Sequence, residues 1–175
     1  MGRMVALLRA VNVGGRKLPM ADLRALCEGL GWSDVATYIQ SGNVVFAASG
    51  KPPAIEAALE KAINAKSGMD VPVIVRTAAE WAKLAAGNPF PDEPPNRVML
   101  LLSKAPAANS AEAAIEARGR NGERVRRAGD ALWFHYPEGA GTSKITPALV
   151  DRAVGSPATA RNFNTVRKLE EMLQA

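Results

Sequence analysis

The order of strand-like and helix-like segments along the chain is the feature that most limits its fold. Short apolar runs, typical of buried strands, alternate with stretches in which apolar residues recur every three or four positions, typical of one helix face. The first half is predicted as strand, helix, strand, strand, helix, strand, helix, at 4–10, 19–31, 35–40, 43–48, 53–67, 71–77 and 78–86. The second half repeats that order, at 97–103, 110–118, 123–128, 131–136, 147–154 and 158–161, before a last helix.

Strand, helix, strand, strand, helix, strand is the order of a ferredoxin-like (split βαβ) unit. We therefore predict an α+β fold of two tandem ferredoxin-like units, each followed by an additional helix. The proline-rich segment 88–96 indicates the boundary, which gives a first unit over residues 1–88 and a second over 89–175. The sequence leaves open whether the two units share one core.

Glycine and polar residues mark where several segments begin or end. Gly42 and Gly129 lie between paired strand-like runs, where a residue that adopts positive φ predicts a tight hairpin. Thr146 stands before a proline, as is typical of a helix N-cap. Asn109, with Glu112 three residues later, predicts a capping pair at another helix start.

The composition excludes several classes of site. The chain holds one cysteine, Cys27, and one histidine, His135, which are too few for a disulfide framework or a zinc tetrahedron. Cys27 lies on the apolar stripe of the first helix and His135 alternates with Trp133 in a strand, so structural roles are favoured for both. No carboxylate cluster indicates a metal site, and we expect no metal and no cofactor.

Charge and hydropathy bear on the partners. The net charge of +5 favours anionic partners, although the excess is spread over both halves of the chain. The longest apolar run, VMLLL, is far shorter than the roughly 20 residues that span a bilayer, and no signal-peptide pattern is present. We expect a cytoplasmic protein without a membrane partner.

The stretch LLRAVNVGGRKLPM raises the main functional question, because it places two glycines and two cations between a strand and a helix. In a split βαβ unit the third strand lies beside the first. Residues 12–15 are therefore predicted to lie next to residues 40–43, where a second loop exposes backbone amides.

Two interpretations of the glycine pair are open. The amides of Gly14 and Gly15, with Arg9, Arg16 and Lys17 close by, would suit an anion. Alternatively the glycines only turn the chain, since the pattern is neither a P-loop nor G-x-G-x-x-G.

Three stretches also carry a family resemblance: LLRAVNVGG…PMADLRALCEGLGW…VATYIQSGNVVF, VRTAAEWAKLAAGNPF and SKITPALVDRAVGSPATARNFNTVRKL. Over nearly its whole length the chain closely resembles the bacterial domain-of-unknown-function family 1697. The resemblance implies a small cytoplasmic protein of two ferredoxin-like units, and it brings no established activity, substrate or cofactor. The chain departs from the family pattern at Ala10, where glycine is usual, and at Phe163, which replaces a tryptophan and has no indole N–H.

Residues of the shared motifs, together with Lys17 beside the glycine pair, are candidates for a ligand-binding surface. They are Arg9, Asn12, Gly14, Gly15, Lys17, Gln40, Ser41, Asn43, Lys144, Arg161, Asn162 and Asn164. Some have structural alternatives, with Asn162 or Asn164 as the cap of the last helix and Arg161 as the partner of a carboxylate. The set holds many hydrogen-bond donors and almost no group that titrates near neutrality, which suits binding better than proton transfer.

The favoured function is binding of an anionic or phosphate-bearing ligand, a nucleotide or a nucleic acid, where the NVGG loop meets the SGN hairpin. One alternative is RNA binding by sheet aromatics, namely Phe46, Trp133, Phe134 and Tyr136, helped by the basic stretch 118–127.

Two further alternatives differ in kind. An enzyme would use Ser41 or Ser143 as nucleophile and Lys144 as base, but nothing in the sequence indicates a desolvated lysine, and we assign no catalytic residue. A structural or interaction module would instead dimerise through its sheets without a small-molecule ligand, so a monomer and a homodimer are both expected possibilities.

Overall fold

The structure, a computed structural model, describes residues 1–175 and confirms the α+β class with two tandem split βαβ units. Each unit contains a four-stranded antiparallel sheet and its helices. Met1–Ala82 together with Leu169–Ala175 form one compact unit, and Lys83–Lys168 form the other. None of the helices combines the length and the apolar character needed to cross a lipid bilayer.

The first half of the chain follows the predicted order of elements. They are β1 (Gly2–Leu8), α1 (Met20–Gly29), β2 (Ser33–Tyr38), β3 (Asn43–Ala48), α2 (Pro52–Ser67), β4 (Val73–Thr77) and α3 (Ala78–Ala86). The strands pair in the order β2-β3-β1-β4, with Leu7 of β1 opposite Asn43 of β3. This register brings the end of β1 next to the start of β3, as the split βαβ order predicts.

The second half repeats the arrangement. Its elements are β5 (Val98–Ser103), α4 (Ala111–Glu116), β6 (Arg124–Ala128), β7 (Ala131–His135), α5 (Pro147–Val154), β8 (Ala158–Asn162) and α6 (Phe163–Gln174), with short 3-10 turns at Pro95–Arg97 and Ala140–Thr142. The strand order β6-β7-β5-β8 is equivalent to that of the first sheet, position by position.

Each unit has its own apolar core between sheet and helices. In the first, Phe46 of β3 stacks on Trp32 with ring centroids 4.3 Å apart, and Leu23 of α1 and Leu59 of α2 join the same cluster with no exposed surface. The second core lies between β5–β7 and the helices α4 and α5, and contains Leu101, Ile115, Val125, Leu132, Phe134, Val150 and Val154. The helical apolar stripes thus pack onto the sheets as their 3.6-residue period predicts.

The two hairpins and the predicted cap of α5 are confirmed. Gly42 and Gly129 have φ of 89° and 61°, the left-handed conformation that such turns require. The hydroxyl of Thr146 accepts a hydrogen bond from the backbone amide of Leu149 at 3.2 Å, as an N-cap does.

The predicted capping pair at α4 is wrong. Ser110, not Asn109, is the N-cap residue, and no side chain caps this helix. The Glu112 carboxylate instead binds the Arg127 guanidinium through two bonds of 2.6 and 2.9 Å. A bidentate charged pair is stronger than a hydrogen bond to a backbone amide, and Arg127 lowers the pKa of Glu112 accordingly.

The first strand lies two residues earlier than the predicted 4–10. Gly2 and Arg3 pair with β3, whereas Ala10 has φ of 54°, which no strand residue adopts. Alanine is strained at this position and glycine would not be, since an L-residue costs about 1–2 kcal/mol in the left-handed region.

We expect Ala10→Gly to raise the free energy of unfolding by about 0.5–1 kcal/mol, because relief of this strain exceeds the added entropy of the unfolded chain. Ala10 is exposed, so no packing is lost. The matched control is Ala25→Gly, at an exposed position inside α1, which should lower stability by about 1 kcal/mol. Guanidinium unfolding of both variants checks the opposite signs, and a destabilised Ala10→Gly protein would contradict the assigned strain.

Candidate functional site

Two loops of the first unit meet at one end of its sheet. They are residues 9–18, between β1 and α1, and residues 39–42, between β2 and β3. The Asn12 side chain joins them, because its Nδ2 donates to the carbonyl oxygens of Gln40 (2.8 Å) and Leu18 (2.9 Å). Its Oδ1 accepts from the Leu18 amide at 2.9 Å. The predicted meeting of the NVGG loop with the hairpin is therefore observed.

The glycine pair forms a two-residue turn. Gly14 and Gly15 have φ of 57° and 81°, and a β-bridge joins Val13 to Arg16 on either side. Positive φ at both central residues is the geometry of a type I′ turn, which the Arg16 amide closes by donating to the Val13 carbonyl at 3.0 Å. No atom lies within 4 Å of a Cβ built on either glycine, so the turn stands open.

A surface cleft of about 410 Å³ lies where the loops meet, and we name it the Lys17 cleft. Its lining residues are Asn12, Gly15, Arg16, Lys17, Pro19, Met20 and Gln40. The charged members are both cationic. Arg16 is half-buried, with Nη2 donating to the Asp70 carbonyl at 2.9 Å, while its Nε is buried without a hydrogen-bond partner.

Four of the predicted first-unit residues line this cleft, namely Asn12, Gly15, Lys17 and Gln40. The other four, Arg9, Gly14, Ser41 and Asn43, do not. Asn43 is fully buried and holds its own hairpin, donating from Nδ2 to the Tyr38 carbonyl (2.9 Å) and to the Ser41 hydroxyl (3.0 Å).

The predicted second-unit residues have separate environments. The Asn162 side chain accepts from the Thr165 amide at 3.0 Å, which confirms it as the cap of α6, and the Asn164 side chain accepts from Arg167 at 3.0 Å. Lys144 is exposed. Arg161 is buried, donates to the Thr159 hydroxyl at 2.6 Å, and has its pKa lowered to about 10 by burial. Arg161 is therefore not a surface residue that a ligand reaches directly.

Burial removes the aromatic surface that RNA binding on a sheet needs. Phe46, Trp133, Phe134 and Tyr136 are each at most 6% exposed, so none can stack a base. Part of the basic stretch 118–127 is also unavailable to phosphate groups, because the three arginines of β6 form ion pairs with carboxylates. The pairs are Arg124–Glu93, Arg126–Glu116 and Arg127–Glu112.

The serine and lysine of the enzyme alternative lack the required setting. The Ser143 hydroxyl donates to Glu123 Oε1 at 2.8 Å and accepts from the Ile145 amide, which is a structural role in the chain turn before α5. Lys144 is exposed rather than desolvated, and an activated lysine base needs burial or a cationic neighbour.

The single histidine and cysteine have structural roles, as predicted. His135 is buried, with Nδ1 3.0 Å from the Arg124 guanidinium and Nε2 3.3 Å from the Glu93 carboxylate. Burial keeps the pKa of His135 below its ordinary value despite Glu93. Cys27 is in the first core, where burial raises the pKa of its thiol to about 12, so the reactive thiolate is suppressed.

Three lining residues of the cleft were not among the candidates, namely Arg16, Pro19 and Met20. The sequence placed Arg16 close to the glycine pair, as it did Arg9. No feature of the sequence indicated that Arg16, and not Arg9, would line the cleft. Pro19 and Met20 lie at the start of α1, directly after the loop that forms one side of the cleft. Their position next to this loop was the only feature of the sequence that could have identified them as lining residues.

Comparison with known proteins supports the fold. The model of a family described as "Protein of unknown function (DUF1697)" matches residues 1–133. The structure of conserved bacterial protein SP0830 from Streptococcus pneumoniae is 22% identical, with a TM-score of 0.79 over 100% of this chain and 99% of that chain. None of the curated proteins matches significantly. Because the family match covers well over half of its residues, the chain belongs to the DUF1697 family.

Proposed function

We propose that the first unit binds a small phosphate-bearing anion in the Lys17 cleft. The observation that carries the proposal is the charge of the lining, since Arg16 and Lys17 are its only charged residues and both are cationic. Lys17 is exposed, and its ammonium group has no hydrogen bond or ion pair within the chain. The lining holds no carboxylate, so the Lys17 ammonium group is available to an anion.

Arg16 supports the same assignment. A buried guanidinium nitrogen without an acceptor costs about 1–3 kcal/mol, and Arg16 Nε is such an atom. An anionic oxygen in the cleft would supply the acceptor after a rotation that turns the whole planar guanidinium toward the cleft. That rotation would exchange the bond from Nη2 to the Asp70 carbonyl, at 2.9 Å, for charge-assisted bonds to the anion.

The N-terminal end of α1 would also interact favourably with an anion in the cleft. Met20, the first residue of this ten-residue helix, lines the cleft. The first backbone amides of a helix have no partner inside it, and the helix dipole gives this end a partial positive charge. An anion between Lys17 and Met20 would interact with both the ammonium and the helix end.

Backbone strain is concentrated in the same two loops. Four residues other than glycine have positive φ, and Ala10, Asn12 and Ile39 are three of them. Ile39 is β-branched, for which φ of 49° is a marked outlier. Strained residues of this kind occur preferentially at binding sites, where the surrounding structure holds a preorganised geometry.

The test is an NMR titration with inorganic phosphate, following the amide shifts of Gly14 and Gly15. We expect a saturable response that weakens with added salt, and a Kd about tenfold higher for Lys17→Ala, corresponding to one lost charged contact. Because Lys17 is exposed and unpaired, this change should leave the fold intact.

The matched control is Lys61→Ala, which removes an exposed lysine of α2 in the same unit that does not line the cleft. It lowers the net charge by the same amount and should leave the phosphate affinity within twofold of the wild type. If both variants weakened phosphate binding equally, the loss would reflect only the lower net charge of the protein, and the cleft would not be the binding site.

A further inference from the structure

We infer that the ligand of the Lys17 cleft is a nucleoside monophosphate, an inference that rests on the proposed function. The cleft is lined by three kinds of surface. Arg16 and Lys17 supply the cationic part, Asn12 and Gln40 the amide part, and the first residues of α1 the apolar part. Inorganic phosphate would use only the first of these.

The apolar part suits an aromatic ring. Pro19 is exposed and Met20 is half-buried, and the pyrrolidine ring of Pro19 and the thioether of Met20 both border the cleft. Met20 also packs against the first core, which fixes its stem. Thioether sulfur makes favourable contacts with aromatic rings, and a flat base presents more such surface than a sugar does.

Gln40 supplies a group that can recognise the edge of a base. Its backbone carbonyl is held by Asn12 Nδ2 at 2.8 Å, which fixes the residue at the cleft, while its side-chain amide has no partner within the chain. A carboxamide offers a donor and an acceptor side by side, the complement of the donor and acceptor pairs on nucleobases.

The size of the cleft agrees with such a ligand. At about 410 Å³ it falls within the roughly 300–1,000 Å³ of small-molecule sites, which combine an apolar wall with a few polar groups that fix orientation. A nucleoside monophosphate places its phosphate and its base at opposite ends of a sugar, and therefore reaches the cationic part and the apolar part together.

The experiment compares three ligands by the same NMR titration: inorganic phosphate, ribose 5-phosphate and AMP. We expect AMP to bind about tenfold or more tightly than ribose 5-phosphate, since only AMP carries a base. Gln40→Ala and Met20→Ala should each weaken AMP about fivefold and leave ribose 5-phosphate within twofold. Lys17→Ala should weaken all three.

The outcomes separate this inference from the proposed function. Equal affinities for AMP and ribose 5-phosphate would overturn the nucleotide assignment and leave the anion site standing. Failure of all three ligands to bind the wild-type protein would overturn both. Unchanged ribose 5-phosphate binding by the Met20 and Gln40 variants also shows that these proteins are folded, because it needs an intact cleft.

Discussion

Replacing Gly42 with alanine is expected to lower the free energy of unfolding by about 2–4 kcal/mol, the sum of two costs. Gly42 has φ of 89°, so any side chain is strained there. A Cβ would also lie 2.7 Å from Val11 Cγ2 and 2.8 Å from Leu8 Cβ, closer than carbon atoms approach. Leu8 and Val11 are at most 1% exposed and have no free space to move into.

Gly129→Ala is the matched control, because it lies at the equivalent hairpin of the second unit. Gly129 has φ of 61°, but no atom lies within 4 Å of its added Cβ, so only the backbone cost of about 1 kcal/mol remains. Guanidinium unfolding of both variants, followed by far-ultraviolet circular dichroism, measures the two losses with a signal to which both units contribute. Similar losses in the two variants would mean that the close approach of Gly42 to β1 contributes nothing.

The contrast between these two glycines also shows what the sequence could predict. Both hairpins were predictable, because glycine between two apolar alternating runs is a strong turn signal. The strand order followed from the order of elements, and with it the meeting of the Asn12 loop with the Gln40 loop. Which glycine touches a neighbouring strand depends on the packing of side chains distant in sequence, and no local pattern records that distance.

The side chains of the site were less predictable than its position. Asn43 and Lys17 were both predicted as ligand-binding residues, yet Asn43 is buried within its own hairpin and Lys17 borders the cleft. The alanine at position 10 did not itself indicate positive φ, because alanine rarely adopts that conformation, and the one signal was the glycine usual there in the pattern that the chain resembles. Local sequence thus indicated where the chain turns, and tertiary packing decided which polar groups face a ligand.

Removal of Glu56 and Glu60 is expected to produce the second large loss of stability. Both lie on one face of α2, four residues apart, and each accepts a hydrogen bond at 2.9 Å from an amide of the edge strand β4, Glu56 from Val75 and Glu60 from Val73. Glu116 of α4 does the same for Val125 of the edge strand β6. Helix carboxylates therefore satisfy edge-strand amides in both units.

Glu56→Ala combined with Glu60→Ala should lower the free energy of unfolding by about 2–4 kcal/mol, because hydrogen bonds to charged groups are worth about 1.5–3 kcal/mol each and these two are only half-buried. Replacement of both by glutamine should cost about half as much, since a neutral amide oxygen remains as acceptor. Glu28→Ala, at an exposed position of α1, should change stability by less than about 0.5 kcal/mol. The guanidinium unfolding midpoints of the double alanine variant and of Glu28→Ala check this expectation. Equal midpoints would show that water replaces the two carboxylates without loss of stability, and that the amides of β4 need no hydrogen-bond partner from α2.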